Sequence, residues 1–118
     1  MRILAIDDNT ELVALIKESL TIYGYEVLTA TDGVQGIAIA KAEKPDLIIL
    51  DIMMPGTNGI EVSKRLKADP ATANIPIIFL TVLKDREERK GPDLAPNIVL
   101  AKPLSLTELI QAIEAALH

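Results

Sequence analysis

The stretch Leu47-Ile48-Ile49-Leu50-Asp51 sets four consecutive apolar residues directly before a carboxylate. A run this short, with no polar alternation, is typical of a strand that is buried on both faces of a parallel sheet. Four further runs share this length and this lack of alternation. They are residues 3–6, 27–30, 77–80 and 98–101. The sequence therefore predicts five buried strands.

Segments with helical periodicity separate the strands. The strongest apolar stripe is Leu106, Leu109, Ile110, Ile113 and Leu117. Weaker stripes are Leu12, Leu15, Ile16 and Leu20; Ile37, Ala38 and Ala42; and Ile60, Val62, Leu66 and Ala68. Asp32 can cap the second helix, and Ser105-Leu106-Thr107-Glu108 is a capping-box pattern at the start of the last one. This repeated alternation predicts an α/β fold with right-handed crossovers and helices on both faces of a parallel sheet.

The segment before the last strand has a different composition. Residues 84–90 are seven consecutive charged residues, and Gly91-Pro92 and Pro96 follow them. The charged run has no apolar stripe, and the prolines prevent a helix from continuing. We therefore expect the fourth helix to be short or irregular.

The length and composition of the chain exclude several classes of function. The chain has 118 residues, 49% of them hydrophobic, and a net charge of -5. This length predicts a single domain over residues 1–118. The acidic balance argues against direct nucleic-acid binding by the domain, and no apolar run approaches the length of a membrane span. There is no cysteine, and the one histidine is His118, which excludes Cys-His and Ser-His-Asp chemistry. We expect a cytoplasmic protein.

Polar side chains follow four of the five predicted strands. Asp7 and Asp8 follow the first, Asp51 the third, Thr81 the fourth and Lys102 the fifth. In an open parallel sheet the carboxyl ends of the strands form the crevice where ligands bind. If the first and third strands are neighbours, three carboxylates converge there beside a hydroxyl and an ammonium.

Three converging carboxylates repel one another, and a divalent cation together with Lys102 offsets their charge. An all-oxygen site without His or Cys favours a hard ion, and a small open site suits Mg²⁺ better than Ca²⁺. Such a site can take a phosphoryl group, which an aspartate can accept as an acyl phosphate. Asp51 is the best candidate because it stands alone. The Pro- and Gly-containing turn over residues 53–59 supports this assignment, because its carbonyls can face the ion.

As a set, these residues resemble the receiver domains of two-component response regulators. The matching motifs are Asp7-Asp8, Asp51 with Met54-Pro55 and Gly59, Thr81, and Lys102-Pro103. The resemblance covers nearly the whole chain. It implies a flavodoxin-like sheet with strand order 2-1-3-4-5.

The resemblance also implies a role for each site residue. Asp51 would be the phosphoacceptor for a histidine kinase or a phosphotransfer protein. Asp8, Asp51 and the backbone carbonyl of Met53 would bind Mg²⁺, and Asp7 would act through water. Thr81 and Lys102 would contact the phosphoryl oxygens. Pro55, Gly59 and Pro103 would shape the loops, a downstream effector domain or protein would receive the signal, and a homodimer is possible.

Two positions depart from the family pattern. The family usually has Tyr or Phe three residues before the lysine, and this chain has Val99 there. A small residue usually follows the threonine, and this chain has Val82. These departures, together with the two prolines of residues 91–97, put the family's usual readout surface in doubt.

Two alternatives to a phosphorylated receiver remain. One is an atypical receiver that acts as an interaction module without phosphorylation, which Val99 and Val82 favour. The other is a Mg²⁺-dependent phosphohydrolase that uses Asp51 as nucleophile. That class normally needs a second aspartate two residues on as general acid, where this chain has Met53. A dinucleotide site is excluded because residues 7–10 replace the glycine-rich turn.

Overall fold

A five-stranded parallel sheet forms the centre of the protein. A computed structural model describes residues 1–81 and 98–117. In chain order the sheet strands are β1 (Arg2–Ile6), β2 (Glu26–Ala30), β3 (Leu47–Asp51), β6 (Ile77–Thr81) and β7 (Ile98–Ala101). Two shorter strands, β4 (Met53–Met54) and β5 (Thr57–Asn58), pair as a separate antiparallel hairpin. Each sheet strand agrees with its predicted run to within one residue at either end.

The strand order confirms the predicted topology. The strands lie in the order β2-β1-β3-β6-β7, and every neighbouring pair is parallel. Counted among the five sheet strands alone, this is the order 2-1-3-4-5. Strand order therefore reverses between β1 and β3, so the carboxyl ends of these two strands open a crevice at that point.

Helices cover both faces of the sheet. The described helices are α1 (Thr10–Ile22), α2 (Gly33–Glu43), α3 (Gly59–Ala68) and α4 (Leu106–Leu117). Helices α2 and α3 pack on one apolar cluster, whereas α1 and α4 pack on the other. Alternate residues of each strand supply the two clusters, for example Leu4 to the first and Ile3 to the second. The predicted fourth helix falls in residues 82–97, outside the described residues.

Both predicted helix starts are confirmed. The Asp32 carboxylate accepts a hydrogen bond from the Gln35 amide at 2.7 Å. The Ser105 hydroxyl accepts one from the Glu108 amide at 3.3 Å. Each bond satisfies a backbone donor that the first turn of a helix leaves free.

The weaker apolar stripes were partly wrong. In α2 the predicted Ala38 and Ala42 are exposed, and the buried residues are instead Gly33, Gly36 and Ala40. In α1 Leu15 is exposed and Val13 is buried in its place, and in α3 Ala68 is exposed. In α2 small residues that allow close packing, and not the large apolar ones, mark the buried face.

No helix in the described part of the chain combines the length and the apolar character that crossing a membrane requires.

Candidate functional site

The structure brings the five predicted polar side chains to one edge of the sheet. Asp7 and Asp8 follow β1, Asp51 ends β3, Thr81 ends β6 and Lys102 follows β7. Asp7, Asp51 and Thr81 are buried, Lys102 is half-buried and Asp8 is exposed. The site is therefore a partly closed crevice whose open side carries Asp8.

Backbone amides orient the Asp7 carboxylate. Its Oδ1 accepts a hydrogen bond from the Asn9 amide at 3.0 Å, and the Asp7 amide donates to the Ala30 carbonyl at 3.1 Å. Asn9 is also the N-cap of α1, since its side chain accepts from the Leu12 amide at 3.1 Å. The sequence analysis did not identify Asn9. An asparagine directly before a helix is a strong N-cap signal and could have revealed it.

The Asp51 carboxylate is held at the end of a fully buried strand. Its Oδ1 accepts a hydrogen bond from the Met53 amide at 3.3 Å. The next residue, Ile52, donates its amide to the Leu80 carbonyl of β6 at 3.0 Å. These bonds fix the backbone on the carboxyl-terminal side of Asp51, so the carboxylate has a defined direction before any ligand binds.

Lys102 bridges the two buried carboxylates. Its Nζ lies 3.0 Å from Asp7 Oδ2 and 3.3 Å from Asp51 Oδ2. The Lys102 amide donates to the Thr81 carbonyl at 2.7 Å, which ties the end of β7 to the end of β6. This backbone hydrogen bond therefore holds Lys102 and Thr81 next to each other at the site.

Burial and charge alter the protonation of this site. Burial, reinforced by the charge of Asp7, raises the pKa of Asp51 to about 6, although Lys102 and the Met53 amide act in the opposite direction. Burial lowers the pKa of Lys102, but its contacts with Asp7 and Asp51 outweigh this, so the net shift is upward. Lys102 is thus cationic at neutral pH. It is also the main group that limits the rise in the pKa of Asp51.

The three carboxylates lie close enough together to hold a metal ion. One oxygen from each of Asp7, Asp8 and Asp51 lies within 4.8 Å of the others. Among the described residues, neither Asp7 Oδ2 nor Asp51 Oδ2 receives a well-directed hydrogen bond, although both are buried. Three carboxylates and one ammonium leave a net charge of about -2, and all the donor atoms are oxygens. This donor set fits a hard divalent cation such as Mg²⁺.

The loop after Asp51 contains the predicted loop-shaping residues. Pro55 and Gly56 connect β4 to β5, and Gly56 has φ +71, a left-handed conformation that favours glycine. Gly59 packs so tightly that a Cβ atom there would clash with the Asp51 carbonyl oxygen. Met53 lies in β4 with an exposed side chain, and Pro103 follows Lys102 through a cis peptide bond. The role of the Met53 carbonyl stays a prediction.

Val99 lies in β7 on the sheet face that α2 and α3 cover. It is half-buried and packs against the apolar cluster of that face. Its register partner in β6 is Phe79, which is fully buried. The second departure from the family pattern, Val82, lies outside the described residues.

Comparison with known proteins places this geometry in a family. A family model described as "Response regulator receiver domain" matches residues 3–114. The chain is 38% identical to the DNA-binding dual master transcriptional regulator RpaA of Synechocystis sp. over 99% of its own length and 49% of RpaA. It is 37% identical to the protein PilH of Pseudomonas aeruginosa over 98% of its length and 97% of PilH. The chain therefore spans about half of the first relative and nearly all of the second.

A solved structure shares the fold. The receiver domain of the sensor histidine kinase PA1611 from Pseudomonas aeruginosa superposes with a TM-score of 0.86 at 27% identity. The match covers 98% of this chain and 96% of that one. The PA1611 domain has a magnesium ion coordinated in its active site cleft.

Proposed function

This chain belongs to the response regulator receiver domain family, and on that basis we propose that Asp51 accepts a phosphoryl group from a histidine kinase or a phosphotransfer protein. The observation that carries the proposal is the position of Asp51. Its buried carboxylate lies 3.3 Å from Lys102 Nζ and within reach of the oxygens of Asp7 and Asp8. A phosphoryl group bound there meets positive charge on one side and a metal-binding carboxylate cluster on the other.

The transfer forms one bond and breaks one. An Asp51 carboxylate oxygen forms a bond to phosphorus while the P–N bond of a phosphohistidine breaks, and the electron pair of that bond leaves with the imidazole. The Lys102 ammonium neutralises a phosphoryl oxygen, and the Thr81 hydroxyl donates a hydrogen bond to another. Lys102 also favours the ionised form of Asp51, which is the form that attacks.

Mg²⁺ is the cofactor that this donor set fits. Asp8, Asp51 and the Met53 carbonyl would hold the ion directly, and Asp7 would hold it through a water molecule. Bound there, Mg²⁺ supplies positive charge that stabilises the phosphoryl oxygens during transfer. Without it, the repulsion between Asp7 and Asp51 opposes the arrival of a further anion.

The function proposed for the domain is signalling rather than turnover of a substrate. The domain assists its own phosphorylation and dephosphorylation, and an effector domain or a separate effector protein reads the phosphorylated state. The relative RpaA, of which the chain matches about half, is named as a DNA-binding transcriptional regulator. We propose a cytoplasmic domain over residues 1–118 that does not itself bind nucleic acid, because its net charge is -5.

Intact-mass analysis tests the assignment of Asp51. The protein is incubated with Mg²⁺ and a small-molecule phosphodonor, and we expect the mass of one phosphoryl group to be added through a base-labile bond. Asp51→Asn should add none. Asp46→Asn is the matched control, because it makes the same chemical change just before the opposite end of β3 and should be modified as the wild type is.

A wild-type protein that stays unmodified with ample Mg²⁺ would contradict the proposal. That result would favour the alternative of an interaction module that acts without phosphorylation. Modification of Asp51→Asn would instead place the acceptor at another residue.

A further inference from the structure

The free edge of strand β2 carries backbone groups that the sheet does not use. Strand β2 lies at one end of the strand order and pairs only with β1. In a parallel pair, alternate residues direct both their N–H and their C=O groups toward the neighbouring strand. The Glu26 amide and the Ala30 carbonyl bond toward β1, at 3.0 and 3.1 Å. Val27 and Thr29 alternate with these positions, so their backbone groups face away from β1.

The open part of this edge is short, because the chain itself occupies the outward amides on either side. The Tyr25 amide donates to helix α1 at 3.1 Å, and the Thr31 amide donates to Gln35 Oε1 of α2 at 3.0 Å. Within the described part of the chain, the outward amides of Val27 and Thr29 have no such partner. Two N–H groups, with the C=O groups of the same residues, therefore remain for a strand from outside the chain.

A cavity of about 290 Å³ lies beside this edge, between α1 and β2. It is lined by Thr10, Val13, Ala14, Lys17, Thr29 and Thr31. None of these residues is acidic, and three of them carry hydroxyl groups. Lys17 is exposed, and no carboxylate of residues 1–81 and 98–117 lies within ion-pair distance of its ammonium. The cavity thus carries one positive charge in a chain whose net charge is -5.

A strand added to β2 would place its side chains on two different surfaces. Val27 belongs to the apolar cluster under α1 and α4, and Thr29 lines the cavity beside α1. Leu28 is half-buried in the cluster of the other face, under α2 and α3. Residues that pair across two strands share a face. A residue opposite Thr29 would therefore lie over the cavity and Lys17, and a residue opposite Leu28 would cover apolar surface.

We propose that the free edge of β2 binds an extended acidic segment of a partner protein as a sixth strand of the sheet. The segment bonds through its backbone to Val27 and Thr29, in the antiparallel orientation, which is the more stable per residue. Its carboxylate opposite Thr29 pairs with the Lys17 ammonium, and its residue opposite Leu28 is apolar. A second copy of β2 fits less well, because pairing Val27 with Thr29 of the copy places no carboxylate at Lys17.

A titration followed by amide NMR tests the proposal. The probe is an extended peptide of about seven residues, with a central glutamate between two valines and threonines on either side. Resonances of Lys17 and of residues 26–31 should shift on binding. The amides of Val27 and Thr29 should also exchange with solvent more slowly, because they become hydrogen-bonded.

The Lys17 contact is tested by reversing its charge. Lys17→Glu should weaken binding by about fivefold or more, because repulsion replaces attraction at an exposed pair. Lys64→Glu makes the same change of charge on α3, away from β2, and should leave the affinity unchanged within about twofold. A peptide with lysine in place of the glutamate should bind the wild type more weakly and Lys17→Glu more tightly. Thermal unfolding confirms that each variant is folded.

The backbone contact is tested on the wild-type protein by changing the peptide alone. N-methylation of the glutamate and of the threonine two residues away removes two donors that face β2. Binding should then weaken by about tenfold or more, because two hydrogen bonds are lost.

Three results with the protein variants would overturn the proposal. They are the absence of shifts at millimolar peptide, shifts confined to residues outside α1 and β2, and equal weakening by Lys17→Glu and Lys64→Glu. Two results with altered peptides would also overturn it. Undiminished binding of the N-methylated peptide would exclude strand addition, and equal binding of the lysine and glutamate peptides would exclude recognition of an acidic residue.

Discussion

At the scale of single residues, Asp51 opposes folding when the site holds no metal. Its pKa is raised from 3.8 to about 6, chiefly by burial, so the folded protein binds this proton more tightly than the unfolded chain. The stability that this group contributes is complete below about pH 3.8 and is lost as the pH rises through about 6. At neutral pH the ionised acceptor therefore lowers the stability of the metal-free protein.

Asp51→Asn should remove this unfavourable contribution to the stability of the metal-free protein. In the presence of a chelator, its advantage over the wild type in free energy of unfolding should grow by about 2 kcal/mol between pH 4.5 and pH 7. Urea unfolding at both pH values measures the change. Asp46→Asn serves as the matched control because Asp46 is exposed. An advantage for Asp51→Asn that stayed constant with pH would show that Asp51 titrates normally.

The sequence was most informative about the polar residues at the carboxyl ends of the strands. Asp7, Asp51, Thr81 and Lys102 could be placed together because parallel strands bring their carboxyl ends to one edge. The predicted position of the Lys102 ammonium beside these carboxylates did not extend to its direct ion pairs with Asp7 and Asp51, because strand position does not specify the direction of a long flexible side chain. Asn9 was not identified, although an asparagine directly before a helix is a strong N-cap signal.

At the scale of elements, the buried sheet strands were predictable and the buried faces of the helices were less so. Strand β3 is buried at every position, so its composition alone revealed it. Helix α2 buries Gly36, where a Cβ atom would come within 2.5 Å of Ile6 Cδ1. Such close packing depends on how two elements approach each other, which a hydrophobic pattern does not show. The β4–β5 hairpin was predicted only as a turn, because strands of two residues are too short to show a periodic pattern.

Helix α3 depends on Gly59 to begin directly beside the acceptor. The Gly59 amide donates to the Ile52 carbonyl at 2.7 Å, and Asn58 caps the helix by accepting from the Ile60 amide at 2.8 Å. Gly59→Ala should destabilise the protein by about 1–3 kcal/mol, because the added methyl group meets the rigid Asp51 backbone. It should also weaken Mg²⁺ binding by displacing Asp51. Denaturant unfolding and a Mg²⁺ titration measure the two effects.

Asn58→Ala separates the two contributions to the start of α3. It removes the cap and should cost about 1 kcal/mol, but it places no atom against Asp51 and should leave Mg²⁺ affinity unchanged. Equal effects of Asn58→Ala and Gly59→Ala on Mg²⁺ binding would contradict the close-packing argument.

At the scale of the whole molecule, the sheet separates two apolar faces that a structural change at the site can reach. Val99 packs in the cluster beneath α2 and α3, whereas the buried face of α4 packs on the opposite side of the sheet through Leu109 and Ile113. Both of these α4 residues are fully buried. A rearrangement that starts at Thr81 and passes by Val99 therefore reaches the face under α2 and α3 before the face under α4.

A phosphoryl group on Asp51 should consequently alter one part of the chain more than another. Its contacts with Thr81 and Lys102 can shift a conformational equilibrium only as far as they differ between two states. Val99 has a stiff side chain of small area, so its movement transmits little free energy. Residues 82–97 follow Thr81 directly, and we expect them to be the part of the chain that responds.

Hydrogen exchange with and without beryllofluoride, a phosphoryl mimic, measures this distribution. Exchange should change mainly within residues 82–97 and little in α4, and Asp51→Asn should abolish the change. Val99→Tyr should extend the change to the sheet face under α2 and α3, because an aromatic ring buries enough area to couple the site to that face. Altered protection in α4 with none in residues 82–97 would contradict this account, because the response would then follow Lys102 into α4 and not Thr81 into residues 82–97.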